Sequence, residues 1–272
     1  MTRTSIHKLL LLAAAASLLS SRIAAAAPDP SSQKLDDLLS RASEQTTALV
    51  NEFSNVQCLE HVEQEKFRDD GKVESKEESS FNYLILLANS GGDLTLQESR
   101  IAVHEPKAGK KNTPMLLSNG FATLFLVFHP AYSASFHFTS AGQEVLNGRL
   151  LDKVAFEHVT GMRSPAALAL RGREYPLELS GMAWIDDATG AITKIEATIG
   201  DTLQDVGLKS LESEIDFSPS AFHGNKQTYW LPAVASIDVQ TPRQHWRNTH
   251  HFNDYKEFSV GTEENDKKVS NQ

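Results

Sequence analysis

The order of apolar and polar positions divides the chain into one helical stretch followed by a long run of strands. After Pro30, Ser31 and Ser32, the apolar residues Leu35, Leu38, Leu39, Ala42, Leu49, Val50 and Phe53 recur mostly every three or four positions. That spacing predicts one amphipathic helix, capped by Ser31 or Ser32, that needs a surface to lie on. From Val56 the period becomes two and turn residues recur, as in antiparallel strands. Strands are expected over 56–67 and 73–87 around the turn Asp69-Asp70-Gly71, over 94–103 after Gly91-Gly92, and over 132–139 with Phe136 and Phe138 on one face and Ser135, His137 and Thr139 on the other. Asn147-Gly148 separates 143–146 from 150–159 as a tight hairpin. A third hairpin joins 181–186 to 191–199 through Asp187-Ala188-Thr189-Gly190. Strands over 208–217, 229–239 and 244–260, the last bent near Asn253, bring the number to about ten, with no alternation of strand and helix.

Two segments break this pattern. Of the eight residues from Phe121 to Phe128, only Thr123 is polar, so the segment has no face for water; Asn119 can cap it as a short helix and Pro130 can end it. Residues 163–176 set Ala166, Ala167, Leu168 and Leu170 between charged and proline positions, as expected of a loop or short helix over an opening.

The N-terminus changes the picture of where the chain works. Arg3 and Lys8 precede an apolar run over 9–19, interrupted only by Ser17, and small residues over 24–27 precede Pro28. This is the order of a cleavable signal peptide over 1–27, with an apolar core too short to span a bilayer. With no cysteine at the cleavage site to carry a lipid, the expectation is a free, exported protein working in the periplasm and not integral to the membrane. Cleavage would leave 23 basic against 35 acidic residues, a net charge of −12. That sign disfavours nucleic acid and anionic membrane surfaces, both of which are bound through Lys and Arg. Residues 28–262 are expected to form a single domain, and the polar stretch 263–272 a disordered tail. Cys58, the sole cysteine, allows no intrachain disulfide and sits as a small buried side chain in a strand.

Catalytic signatures are missing from the sequence: there is no Gly-x-Ser-x-Gly, no phosphate-binding glycine loop, no His-Glu-x-x-His and no cysteine pair. No enzymatic activity, cofactor or metal is therefore expected. His245, His250 and His251 lie close together, but adjacent residues of a strand point to opposite faces, so His250 and His251 cannot readily share an ion. Asp186-Asp187 directly precedes a turn glycine and reads as turn chemistry. The aromatics Trp184, Trp230, Trp246, Tyr132, Tyr229, Phe252 and Tyr255 all fall on expected strands, either as core or as the wall of an apolar cavity.

The motifs Phe136-His137-Phe138, Gly142-Gln143-Glu144, Asn147-Gly148-Arg149, Gly181-Met182-Ala183-Trp184-Ile185-Asp186, Thr189-Gly190, Ile192-Thr193-Lys194-Ile195-Glu196, Tyr229-Trp230-Leu231-Pro232 and Phe252-Asn253-Asp254-Tyr255, in this order after an amphipathic helix, resemble the outer-membrane lipoprotein-sorting (LolA/LolB-like) superfamily over roughly residues 33–260. The resemblance implies a mainly β (α+β) fold: a curved, incomplete antiparallel β-barrel of about ten strands, with the N-terminal helix and a short apolar helix as lid. It also implies a carrier that holds a lipid, a lipoprotein acyl chain or another apolar ligand without covalent chemistry. By position, Phe121, Leu124, Phe125 and Phe128 match the lid, and Phe136, Phe138, Trp184, Trp230 and Trp246 line the cavity. The competing expectations are a ligand-free module that docks on an envelope protein partner, and a converged site near the three histidines. The long insertions around 105–130 and 160–176 depart from the shorter carriers and leave the substrate open.

Overall fold

Strict alternation along the strands determines which side of the sheet is covered. In β10 (Ser210–Ala221), Leu211, Ser213, Ile215 and Phe217 are buried while Glu212, Glu214 and Asp216 are exposed. The same period in β1 (Val56–Phe67) buries Val56, Cys58, Glu60 and Val62. One face must therefore find apolar cover, and the other meets water.

The computed structural model describes residues 30–52, 56–90, 93–104, 122–170, 173–199, 207–221 and 228–257. The signal segment 1–27, Phe53, Asn119, Phe121 and the tail lie outside them. The remaining strands are β2 (Val73–Ser90), β3 (Asp93–Ala102), β4 (Phe136–Leu146), β5 (Arg149–His158), β6 (Ala167–Leu170), β7 (Arg173–Pro176), β8 (Leu179–Ile185), β9 (Ile192–Ile199), β11 (Thr228–Gln240) and β12 (His245–Glu257). Ten of them form one antiparallel sheet in the order β3-β2-β1-β12-β11-β10-β9-β8-β5-β4. The sheet is the meandering antiparallel one that the strand pattern predicts, and it does not close on itself, consistent with the curved half-barrel that the resemblance implies. Most neighbours follow one another in the chain. The exception that builds the sheet is β1 against β12, which joins the first three strands to the last seven.

Curvature comes from places where the register slips. Shifts occur between Gln57 and Leu59 against β12, between Asp216 and Phe217 against β11, and between Ser140 and Gln143 against β5. An extra residue on one strand bends it and increases its twist. The first of these lies opposite Asn253 and Lys256, with Asp254 between them at a positive φ of 56°, where the bend in β12 is expected from the sequence. The hairpin at Asn147-Gly148 has positive φ at both residues (51° and 77°), the geometry of a type I′ turn.

Helical structure is sparse. α1 (Pro30–Glu52) starts at Pro30, so Ser31 and Ser32 lie inside its first turn instead of capping it; a proline fits there because the first N–H groups need no intrahelical acceptor. Leu38, Ala42, Thr46, Leu49 and Val50 are its buried face. Leu124–Phe128 forms a 3₁₀ turn rather than an α-helix, with all five residues buried. The expected strand over 132–139 begins at Phe136, because Pro130–Ser133 folds as a one-turn helix, α2, whose Tyr132 is buried. Ser135 is also buried, against the expected outward orientation. Within the insertion over 163–176, where the sequence reads a loop or short helix, β6 and β7 pair as a separate two-stranded ribbon.

Candidate ligand-binding site

The core face of the half-barrel is covered by α1 and the 3₁₀ turn, and the seam between cover and sheet is where an apolar ligand could enter. α1 is seated on the turn between β8 and β9. Arg41 Nη2 donates to Asp187 Oδ1 at 2.7 Å, and Lys34 Nζ donates to Asp152 Oδ1 at 2.9 Å. The turn itself is ordered by Asp186, which accepts from the Thr189 N–H (3.0 Å) and hydroxyl (2.8 Å) and from Arg149 (2.5 Å). Burial pushes the Asp186 carboxyl up, but these hydrogen bonds outweigh it and hold it below its ordinary value. Asp186 thus has the turn role expected of it.

Beneath α1, the 3₁₀ turn inserts an aromatic cluster into the sheet. Phe125 meets Phe217 edge-on at 6.4 Å, and Phe128 packs on Phe138 (5.3 Å) and Phe156 (6.4 Å), which in turn meets Phe136 at 5.9 Å. Where α1, the 3₁₀ turn and strands β9 to β11 meet, Thr46, Leu49, Phe125, Ile192, Tyr229 and Trp230 line a void of about 50 Å³. Ligand pockets run roughly 300–1,000 Å³. This void is too small for an acyl chain, so a ligand of that kind could occupy it only by displacing the 3₁₀ turn or α1.

A larger cleft, about 850 Å³, lies on the opposite face of the sheet across β8 to β12. Its lining is polar, including Glu196, Glu212, Glu214, Asp238 and Arg247. Lys194 bonds both Glu196 (2.7 Å) and Glu214 (2.8 Å), while Asp238 is held by His245 (2.8 Å) and Arg247 (3.0 Å). Such a surface does not suit an acyl chain.

The structure distributes the sequence-derived residues unevenly. Leu124, Phe125, Phe128, Phe136, Phe138 and Trp230 gather at the core face. Trp184 does not: it points to the other face between Lys153 (5.3 Å) and Lys194 (5.2 Å), with its indole N–H on Glu144 at 3.1 Å. Trp246 sits opposite Val239 and Lys66 near the end of the sheet, with Lys66 Nζ 5.5 Å above its ring. His250 is buried opposite Val62, whereas His251 faces outward opposite His61. Tyr132, grouped with the strand aromatics by sequence, lies on α2 and donates to the Leu94 carbonyl at 3.1 Å.

One cluster on the core face is absent from any sequence motif. Glu60 is wholly buried and accepts from Arg100 through both oxygens (2.7 and 3.0 Å) and from His250 Nδ1 (2.8 Å). Burial pushes its carboxyl up, yet the bonds from His250 and Arg100 prevail and hold it below the usual range. The available sign is its phase: Glu60 shares the inward period of Val56, Cys58 and Val62. Arg100 also lies 4.6 Å over the ring of Tyr83.

No family model and no curated protein matches this chain. Among solved structures, it is similar to a DUF1329 family protein from Desulfovibrio piger, at 12% identity and a TM-score of 0.40 over 86% of this chain and 95% of that one. It is also similar to a putative outer membrane lipoprotein-sorting protein domain from Vibrio parahaemolyticus, at 14% identity and a TM-score of 0.36 over 84% of this chain and 94% of that one. A third similarity is to MucB in a complex with MucA, at 10% identity and a TM-score of 0.20 over 85% of this chain and all of that one. At these scores the likenesses carry nothing about ligand or partner, which are argued below from this chain's own residues. Among the described residues, no helix is long and apolar enough to cross a membrane.

Proposed function

We propose that the protein is an exported periplasmic carrier or sensor that holds a lipid, or another ligand with an acyl chain, between the core face of its half-barrel and the α1 and 3₁₀ cover. The observation that carries this reading is the segment Leu124–Phe128: five consecutive apolar residues, all buried, wound as a single 3₁₀ turn against an open sheet. A 3₁₀ turn has poorer hydrogen-bond geometry than an α-helix and occurs in short pieces, so much of what holds it is apolar contact. An acyl chain offers the same kind of contact. Each CH₂ moved from water gains about 0.8 kcal/mol, so a C16 chain offers on the order of 10 kcal/mol before ordering costs. In this role Leu124, Phe125 and Phe128 act as a plug that the chain replaces, and Phe136, Phe138 and Trp230 as the wall it meets. The reading places the mature start after residue 27 and requires no covalent chemistry.

The test is native mass spectrometry of residues 28–272 purified from a periplasmic extract without detergent. Extra mass that extraction identifies as lipid supports the carrier. A clean apo mass, with no uptake of added phospholipid or lipopeptide, overturns it in favour of a docking module for an envelope protein.

A further inference from the structure

His129 stands between the two halves of the covering segment, and its side chain is part of the hydrogen bonding that shapes it. The 3₁₀ turn ends where the His129 N–H donates to the Leu126 carbonyl at 2.9 Å. α2 begins on the same residue, whose carbonyl accepts from the Tyr132 and Ser133 N–H groups at 2.9 and 2.8 Å. The ring caps this turn: Nδ1 accepts from the Ala131 N–H at 3.1 Å. A backbone N–H can only donate, so Nδ1 carries a lone pair and the proton of the neutral imidazole sits on Nε2. The residue is only 6% exposed.

A second proton can bind only at Nδ1. An imidazolium donates from both nitrogens and accepts at neither, so protonation sets two N–H groups against each other where the cap was and places a positive charge in a buried site. Burial already holds the ring below the ordinary histidine value, and it is the sole cause. The charged and titratable groups of the elements packed on this segment do not relieve it. Lys34 and Arg41 of α1 are held by Asp152 and Asp187, and Arg100 of β3 by Glu60. Lys194 and Glu196 of β9 and Asp216 of β10 lie on the opposite face of the sheet. Arg163 lies 5.4 Å over the Tyr132 ring, and its carbonyl meets His158 Nε2 at 3.0 Å. Once the segment lifts, the ring meets water and titrates as an ordinary histidine. The lifted state therefore takes up the proton more readily than the seated one. Seating is fully favoured above the ordinary histidine value and weakens as the pH falls below it toward the lower value of the seated ring. We propose that His129 is a proton-operated latch on residues 124–133, holding this segment on the half-barrel at neutral pH and releasing it in mild acid. The latch is a property of the fold and goes beyond the carrier reading, since it works whatever the interior holds.

The experiment is residue-resolved amide hydrogen exchange of residues 28–272 at pH 7.5 and pH 5.5, corrected for the intrinsic exchange rate at each pH, with the wild type and with His129→Asn. Asparagine can accept the same cap hydrogen bond and does not titrate. In the wild type the amides of Leu126, His129, Tyr132 and Ser133 should exchange about fivefold faster at pH 5.5, the scale of one lost cap, against a ceiling of about tenfold per pH unit for one proton. The amides of β10 and β11 should keep their rates. In His129→Asn the acid acceleration of the segment should vanish. A wild-type segment that exchanges no faster at pH 5.5, or no faster than β10 and β11 do, overturns the latch whether or not the variant folds. An acceleration that persists in folded His129→Asn belongs to another group and overturns it as well. Lipid binding is not read in this experiment, so the latch and the carrier reading stand or fall separately.

Discussion

Gly190 lies against the backbone of Arg41: a Cβ built on the glycine would come within 2.5 Å of the Arg41 carbonyl carbon and 2.8 Å of the Ala42 nitrogen. The β8–β9 turn and α1 therefore meet backbone to backbone, at a residue whose φ of +73° also disfavours any side chain. Gly190→Ala should lose the left-handed conformation at a cost of roughly 1–2 kcal/mol and push α1 away as well. Arg41→Ala removes only the ion pair with Asp187, both partners of which are over a third exposed, and such pairs are worth about 0–1 kcal/mol. Thermal unfolding should therefore show a clear fall in Tm for Gly190→Ala and a small one for Arg41→Ala. The reverse order would mean that charge, not close packing, seats the helix.

The second prediction concerns acid. The Glu60 carboxyl is held below its ordinary value in the folded protein, whereas in the unfolded chain it titrates normally. Its contribution to stability is therefore fully present above the unfolded value, and it is lost as the pH falls toward and through the lower, folded value. Urea unfolding between pH 7 and pH 3 should show stability declining toward the acid end, with Glu60→Gln flattening that decline. The variant should also be less stable at neutral pH, since it takes from buried Arg100 the closer of its two carboxylates and leaves only Glu98 at 3.6 Å; breaking such a pair outright costs about 3–5 kcal/mol, and the remaining carboxylate keeps the loss below that. An unchanged pH slope in Glu60→Gln would show that other groups govern acid unfolding.

Local order was legible from the sequence, and long-range pairing was not. The period-two alternation gives β1 at its observed bounds, and Asn147-Gly148 and Asp187–Gly190 mark their turns because positive φ restricts which residues can stand there. Nothing local reveals that β1 pairs with β12, since Val62 and His250 are brought together across most of the chain. The same pairing assembles the Glu60 cluster, so its members remain separate polar residues until the sheet exists. Trp184 shows a different limit. The resemblance places it by position in the cavity wall, but it alternates with Ala183 and Ile185, and Lys153 and Lys194 cover it on the polar face instead. The long alkyl stems of lysine can bury an aromatic ring as effectively as a core can.

The last prediction tests how tightly β8 is seated beneath the aromatic cluster. Gly181 pairs with Ala197 on β9 and with Phe156 on β5. A Cβ there would lie 2.0 Å from the Glu196 carbonyl oxygen, 2.9 Å from the Ala197 Cα and 2.7 Å from the Phe156 Cζ. The last of these is the end of a side chain and could move, but the first two are backbone of the neighbouring strand. Gly181→Ala should therefore displace β9 itself and destabilise the fold by more than the roughly 1 kcal/mol scale of strand propensity. Phe156→Leu alone should cost about 1 kcal/mol or more through imperfect repacking. If the obstacle is backbone, the double variant Gly181→Ala/Phe156→Leu should be destabilised by close to the sum of the singles in urea unfolding. If Phe156 is the obstacle, shortening it should restore much of the loss, and the cycle would give a coupling of 0.5 kcal/mol or more, on the order seen between residues in contact. The near-additive result is expected, because relief at the ring leaves the 2.0 Å approach to Glu196 in place.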